Sequence, residues 1–260
     1  MTTTPAPRKR IRAEIWIVLA LSLGQSAIYA ILSLIKSYQN TKPIGKQTTT
    51  LHPSLSGIPI WDLIYQLVGI AFGVVPVLLA FYLLSASGAG TRARLGLVWP
   101  RRQRDAGLDL GRGALLAAAI GIPGLGLYVV GRAIGQTVLI DTSGLPPQWW
   151  RALVLVLSAL AVALLEEGIA VGYLVTRLRE LAWRPWTSIA ASAVLRGSYH
   201  LYQGWPMALG NAVMGTVFAA YFAKRGRLGP LVVAHVVLDL VSFLGPEFLP
   251  ASWLSALRLA

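Results

Sequence analysis

Long apolar runs, separated by short polar and mostly basic stretches, dominate the chain. Seven runs approach the roughly 20 residues that a helix needs to cross a bilayer: Ile15–Ile35, Ile58–Ala86, Gly113–Gly135, Trp149–Leu174, Trp186–Leu201, Trp205–Phe222 and Leu228–Phe248. Trp61, Trp149, Trp150, Trp186 and Trp205 sit near run ends, where interfacial aromatics belong. The fifth run is short and abuts the sixth, so one of that pair is a candidate for a tilted or re-entrant segment. Gly121, Pro123, Gly124 and Gly126 should loosen or kink the third. The first run is longer than a signal-peptide core and has no small-residue cleavage site after it, which makes it a retained helix. The expected fold is an all-α polytopic membrane bundle of about seven transmembrane helices. It divides into a polar tail (1–14), a first half of helices and loops (15–145), a second half (146–248) and a C-terminal tail (249–260).

Composition changes this picture little and charge placement adds orientation. Charged residues make up 13% of the chain, against about 25% in soluble domains. A net charge of +13 would suggest nucleic acid in a soluble protein, but these charges lie between apolar runs. With the N-terminus in the cytoplasm, inside segments hold 16 Lys/Arg: Arg8, Lys9, Arg10, Arg12, then Arg92, Arg94, Arg101, Arg102, Arg104, Arg112, then Arg177, Arg179, Arg184, and Lys224, Arg225, Arg227. Outside segments hold six: Lys36, Lys42, Lys46, Arg132, Arg151 and Arg258. The asymmetry sets a cytoplasmic N-terminus and excludes a nucleic-acid partner. The Gln39–Ser56 loop is then an external flexible segment, with His52 as a solvated loop residue. The chain lacks cysteine, which excludes disulfides, thiolate metal sites and a cysteine nucleophile. No internal repeat, Walker motif or H-E-x-x-H is present.

What remains are ionisable residues inside the later runs. Glu166, Glu167, Arg196 and Asp239, charged and unpaired, would together cost on the order of 10–14 kcal/mol in a bilayer. They therefore pair, line a wet cavity or do chemistry. Arg196 and His200 are four residues apart and share a helix face, as do His235 and Asp239. Glu166 and Glu167 are adjacent, so only one should face a common site squarely. Asn211 could add an amide to the cavity, or tie helices together. A carboxylate beside imidazoles can activate water, as general base with polarising, metal-binding or oxyanion-stabilising partners. Three carboxylates against one Arg leave a formal −2, which either a divalent cation or proton uptake would relieve.

The ordered set Glu166-Glu167, Gly172-Tyr173-Leu174, Arg196-Gly-Ser-Tyr-His200-Leu-Tyr-Gln-Gly204, Gly210-Asn211 and Pro230-Leu-Val-Val-Ala-His235-Val-Val-Leu-Asp239 resembles the CPBP intramembrane proteases. This is the CAAX-protease and bacteriocin-processing family, also called Abi, related to type II CAAX prenyl endopeptidases. The resemblance covers roughly Trp149 to Gly245. It implies an all-helical protease that cleaves a membrane-associated protein or peptide in a bacterial plasma membrane. Carried over, Glu166 would be the base and His200 its partner, with His235 and Asp239 stabilising the oxyanion or completing a metal site. In a metal-dependent form Glu166, His200 and His235 would hold the ion, with zinc as the candidate; the alternative form is a metal-free glutamate protease. Glu167, Arg196 and Asn211 would support the site.

Two positions depart from the pattern. Val171 stands where the first motif has Arg, and Arg196 stands where the second has Phe. A relocated guanidinium follows as an expectation, with Arg196 pairing with Glu167 or Glu166. Two other functions keep the same residues: a catalytically silent binding or immunity protein, and a proton-coupled transporter, since intramembrane Glu, His and Asp also build proton relays.

Overall fold

The computed structural model describes residues 7–85, 95–96 and 103–256. Arg92, Arg94, Arg101, Arg102 and Arg258, all counted in the charge asymmetry, lie outside the described residues. The helices are α1 (Arg8–Ala20), α2 (Leu23–Gln39), α3 (Pro59–Ser85), α4 (Gln103–Ala133), α5 (Arg151–Glu180), α6 (Pro185–Tyr199), α7 (Trp205–Arg225), α8 (Gly229–Phe248) and a short α9 (Ala251–Ala256). Proline opens α6, α7 and α8, where its fixed φ suits the first turn and its missing N–H costs nothing. Pro123 lies inside α4, which nevertheless runs unbroken through it. The protein is a multi-pass, all-α membrane bundle.

The number of spans differs from the expected seven. Among the described residues five helices are long and apolar enough to cross: α3, α4 from Ala106, α5, α7 and α8. The pair α1 and α2 makes a sixth only if taken together, because it bends by 50° near Ser22 instead of forming one straight Ile15–Ile35 helix. The expected fifth span, Trp186–Leu201, is the 15-residue α6. At 1.5 Å per residue it reaches about 22 Å, short of a hydrocarbon core of about 30 Å. The chain reverses there through Leu201–Gln203 and Gly204. Gly204 has φ +108°, and a Cβ on it would stand 2.1 Å from the Gln136 carbonyl oxygen, so only glycine fits the turn.

Polar chain folds over the end of this short helix. β1 (Thr48–Thr50) pairs in parallel with β2 (Leu139–Asp141), aligning Thr48 with Leu139. The Val138 N–H donates to the Gln203 carbonyl oxygen at 3.1 Å and ties this ribbon to the α6–α7 turn. Arg132 Nη1 donates to the carbonyl oxygens of Gly45 (2.7 Å) and Thr137 (3.0 Å). The loop expected to be a flexible segment thus has backbone structure of its own. His52 is also not simply solvated: its ring packs edge-on against Phe243 at 4.6 Å, and burial lowers its pKa.

Helix α5 is the centre of the bundle. In its most apolar stretch 67% of residues are buried, against 17% in α3 and α4 and 22% in α8. The others turn Phe72, Leu78, Leu115 and Ile122 outward, an apolar rim suited to lipid. α6 packs closely on α7, α8 on α4, and α3 and α8 flank α5. Midway, α5 widens into a π-helix over Glu167–Tyr173, a feature often found at functional sites. Ser192 Oγ of α6 donates to the Ala170 carbonyl oxygen at 2.6 Å within this segment. Arg177, counted above as a loop charge, is instead buried in α5. Its guanidinium bonds Glu14, Glu180 and the Leu83 carbonyl oxygen.

Candidate active site

The π-helix begins at the paired glutamates, and α6 and α8 bring the basic groups to them. Arg196 is fully buried between the two carboxylates. Its Nη1 lies 3.3 Å from Glu166 Oε2, and its Nη2 donates to Glu167 Oε1. Gly215 of α7 gives the Arg196 stem its room, since a Cβ there would stand 3.1 Å from Cδ. The expected relocated pairing is therefore present in the geometry. Val171 is fully buried in the apolar core. Both glutamates reach Arg196, contrary to the expectation that only one would face the site: each side chain is long enough to turn toward a guanidinium lying between them.

The two glutamates differ in how they are held. Glu167 Oε1 also receives the Nδ1–H of His235 at 2.6 Å, while its Oε2 is buried with no partner. Glu166 Oε2 receives the Tyr199 hydroxyl at 2.8 Å as well as Arg196. Its Oε1 is claimed by no donor among the described residues. His235 Nε2 lies 3.9 Å from Glu166 Oε2 and 3.7 Å from Asp239 Oδ1, too far for hydrogen bonds. Asp239 Oδ2 is buried without a partner.

His200 caps the end of α6. Its Nδ1 lies 2.9 Å from the Arg196 carbonyl oxygen, which can only accept, so Nδ1 carries the proton. In the neutral ring Nε2 is then an unprotonated lone pair. The Tyr199 ring stacks at 4.8 Å from His200 and connects it to Glu166. Asn211 donates to the Met207 carbonyl oxygen of its own helix at 2.9 Å and makes no bond to the cluster. Tyr199 was not singled out from sequence, where only ionisable groups were weighed. Its position beside His200 in the second motif was the available signal.

As a metal site the set fits poorly. Among the described residues no group of three His, Asp or Glu side chains could hold an ion. Arg196 occupies the place between carboxylates where a cation would sit. Glu167 Oε1 is engaged by His235 and Arg196, and Glu166 Oε2 by Tyr199 and Arg196.

Residues 147–241 match the model of a family described as type II CAAX prenyl endopeptidase Rce1-like. The matched segment holds every site residue above, from Glu166 to Asp239, and agrees with the resemblance read from the motifs. Compared with the curated proteins and with the solved structures, the chain has no match.

Proposed function

Taking that family match as the premise, we propose that the protein is an intramembrane endopeptidase of the glutamate type, which hydrolyses a peptide bond in a membrane-associated protein or peptide. The carrying observation is the asymmetry at Glu166: Oε2 is fixed by Tyr199 and Arg196, and Oε1 has no donor among the described residues. A fixed carboxylate with one unclaimed oxygen is suited to take a proton from water.

In this reading Glu166 Oε1 removes a proton as the water oxygen attacks the scissile carbonyl carbon. His200 Nε2 accepts a hydrogen bond from the second water proton and orients it. His235 donates Nδ1–H to Glu167 and, in its doubly protonated form, offers Nε2–H to the oxyanion. Glu166 then returns its proton to the departing amine nitrogen as the C–N bond breaks. Arg196 and Glu167 hold the parts in register. The orientation that goes with this reading has the N-terminus in the cytoplasm. No step calls for a metal.

The test is cleavage of membrane-anchored peptides by protein reconstituted in lipid. Glu166→Gln should lower kcat/KM by about a thousandfold with unchanged thermal unfolding, and a strong chelator should leave the native enzyme's rate unaltered. Inactivation by the chelator, reversed by zinc, would sink the glutamate-type reading. Uptake driven by ΔpH without cleavage would identify a transporter, and full biological activity of Glu166→Gln a binding protein.

A further inference from the structure

A cavity of about 510 Å³ lies between α2 and the polar ribbon, bordered by Tyr199 and Tyr202 on the α6 side. It is polar where a membrane bundle would usually be apolar. Ser26, Ser33 and Ser37 line it from α2, Asn40 from the residue after that helix, and Thr48 and Thr49 from β1. Lys36 is the one charged residue in its wall and has no ion-pair partner among the described residues. The wall is continuous with the site already described, because the Tyr199 hydroxyl donates to Glu166 Oε2.

Its shape points to an extended chain. The α2 wall runs from Ser26 to Ser37, a rise of about 16 Å, the length of about five residues of strand. β1 pairs with β2 alone in its two-stranded sheet. Thr48 and Thr49 border the cavity together with Val138, just before β2, and the edge of β1 away from β2 is unpaired among the described residues. A peptide laid there could add a strand, taking backbone hydrogen bonds from β1 and hydroxyl contacts from α2.

Resting on the peptidase reading, we propose that this cavity binds an extended segment of the substrate as a third strand against β1, with a substrate carboxylate on Lys36. The carboxylate can be an acidic side chain or the peptide's own C-terminus, since Lys36 offers the same point charge to both. The segment's far end then lies at Tyr199, beside Glu166.

Binding can be read without turnover by using Glu166→Gln protein in phosphatidylcholine nanodiscs. The probes are fluorescent lipid-anchored peptides of Thr, Val and Ala carrying Asp or Asn, with free or amidated C-termini. Probes with a carboxylate should bind more tightly, and Lys36→Gln should weaken them about fivefold while leaving the Asn, amidated probe unchanged. Whichever carboxylate responds identifies its source. Alternate N-methylation of the probe, which removes its donors to β1, should abolish binding in unaltered protein. Equal binding of all probes with and without Lys36, or full binding of the N-methylated probe, overturns the proposal. Displacement of the probe by phosphatidylglycerol only when Lys36 is present makes the cavity a lipid-headgroup site and also overturns it. Lys36-dependent binding with no cleavage by the unaltered protein upholds the cavity and removes the peptidase reading. Cleavage with Lys36-independent binding does the reverse.

Discussion

Two arginines are buried to nearly the same degree in this bundle, each between two carboxylates, and they are put to different use. Arg177 joins Glu14 of α1 at 2.8 Å to Glu180 of its own helix at 2.7 Å. Glu14 spends its other oxygen on Arg10. The Leu83 carbonyl oxygen and the Tyr173 ring also contact Arg177. Arg196 likewise joins Glu166 and Glu167, yet Glu166 Oε1 is unclaimed, and Glu167 Oε2 and Asp239 Oδ2 are buried without partners. The first network ties α1 to α5 with both Glu14 oxygens occupied. The second keeps acceptor capacity in reserve at a low-dielectric site, where unmet polar groups are costly. Unclaimed carboxylate oxygens are what the proposed chemistry needs and a structural tie does not, so on that proposal the first network is a clamp and the second the reaction centre.

The comparison breaks most readily at the arginines themselves. Arg196→Met should destabilise the protein by about 3–5 kcal/mol, because it removes the guanidinium from between two buried carboxylates. Arg177→Met should destabilise it by less, because Glu14 keeps Arg10. Thermal unfolding in detergent measures that loss. Turnover per folded molecule should survive in Arg177→Met and vanish in Arg196→Met. Equal turnover in the two variants would erase the distinction drawn above. A smaller effect is expected at Tyr199→Phe, which removes one donor to a carboxylate. Hydrogen bonds to charged groups are worth about 1.5–3 kcal/mol, so kcat should fall about ten- to a hundredfold with KM nearly constant. A proportional rise in KM instead would assign Tyr199 to substrate binding alone. The smallest effect belongs to Asn211→Ala. It removes a bond within one helix and should change stability by less than about 1 kcal/mol and leave turnover intact. A large loss of turnover would place Asn211 in the machinery after all.

The sequence by itself determined the solvent and which ionisable residues lie within the spans. Apolar runs of bilayer length appear directly in a string of residues, and charges stranded inside them stand out because lipid makes them costly. The motifs around Glu166, His200 and His235 were legible for the same reason. Arg196 could be proposed as the partner of the glutamates from its place one turn before His200. Tertiary structure decided the rest. Span length depends on where the chain can turn, and the turn after α6 takes a glycine at 204 because the distant Gln136 carbonyl oxygen packs against it. The Gln39–Ser56 loop gains its strand from pairing with residues about ninety positions later. Which glutamate oxygen stays unclaimed is set by donors from α6 and α8 together, and spacing along one helix cannot supply that. The polar cluster was therefore legible in one dimension, while its division into held and available atoms exists only in three.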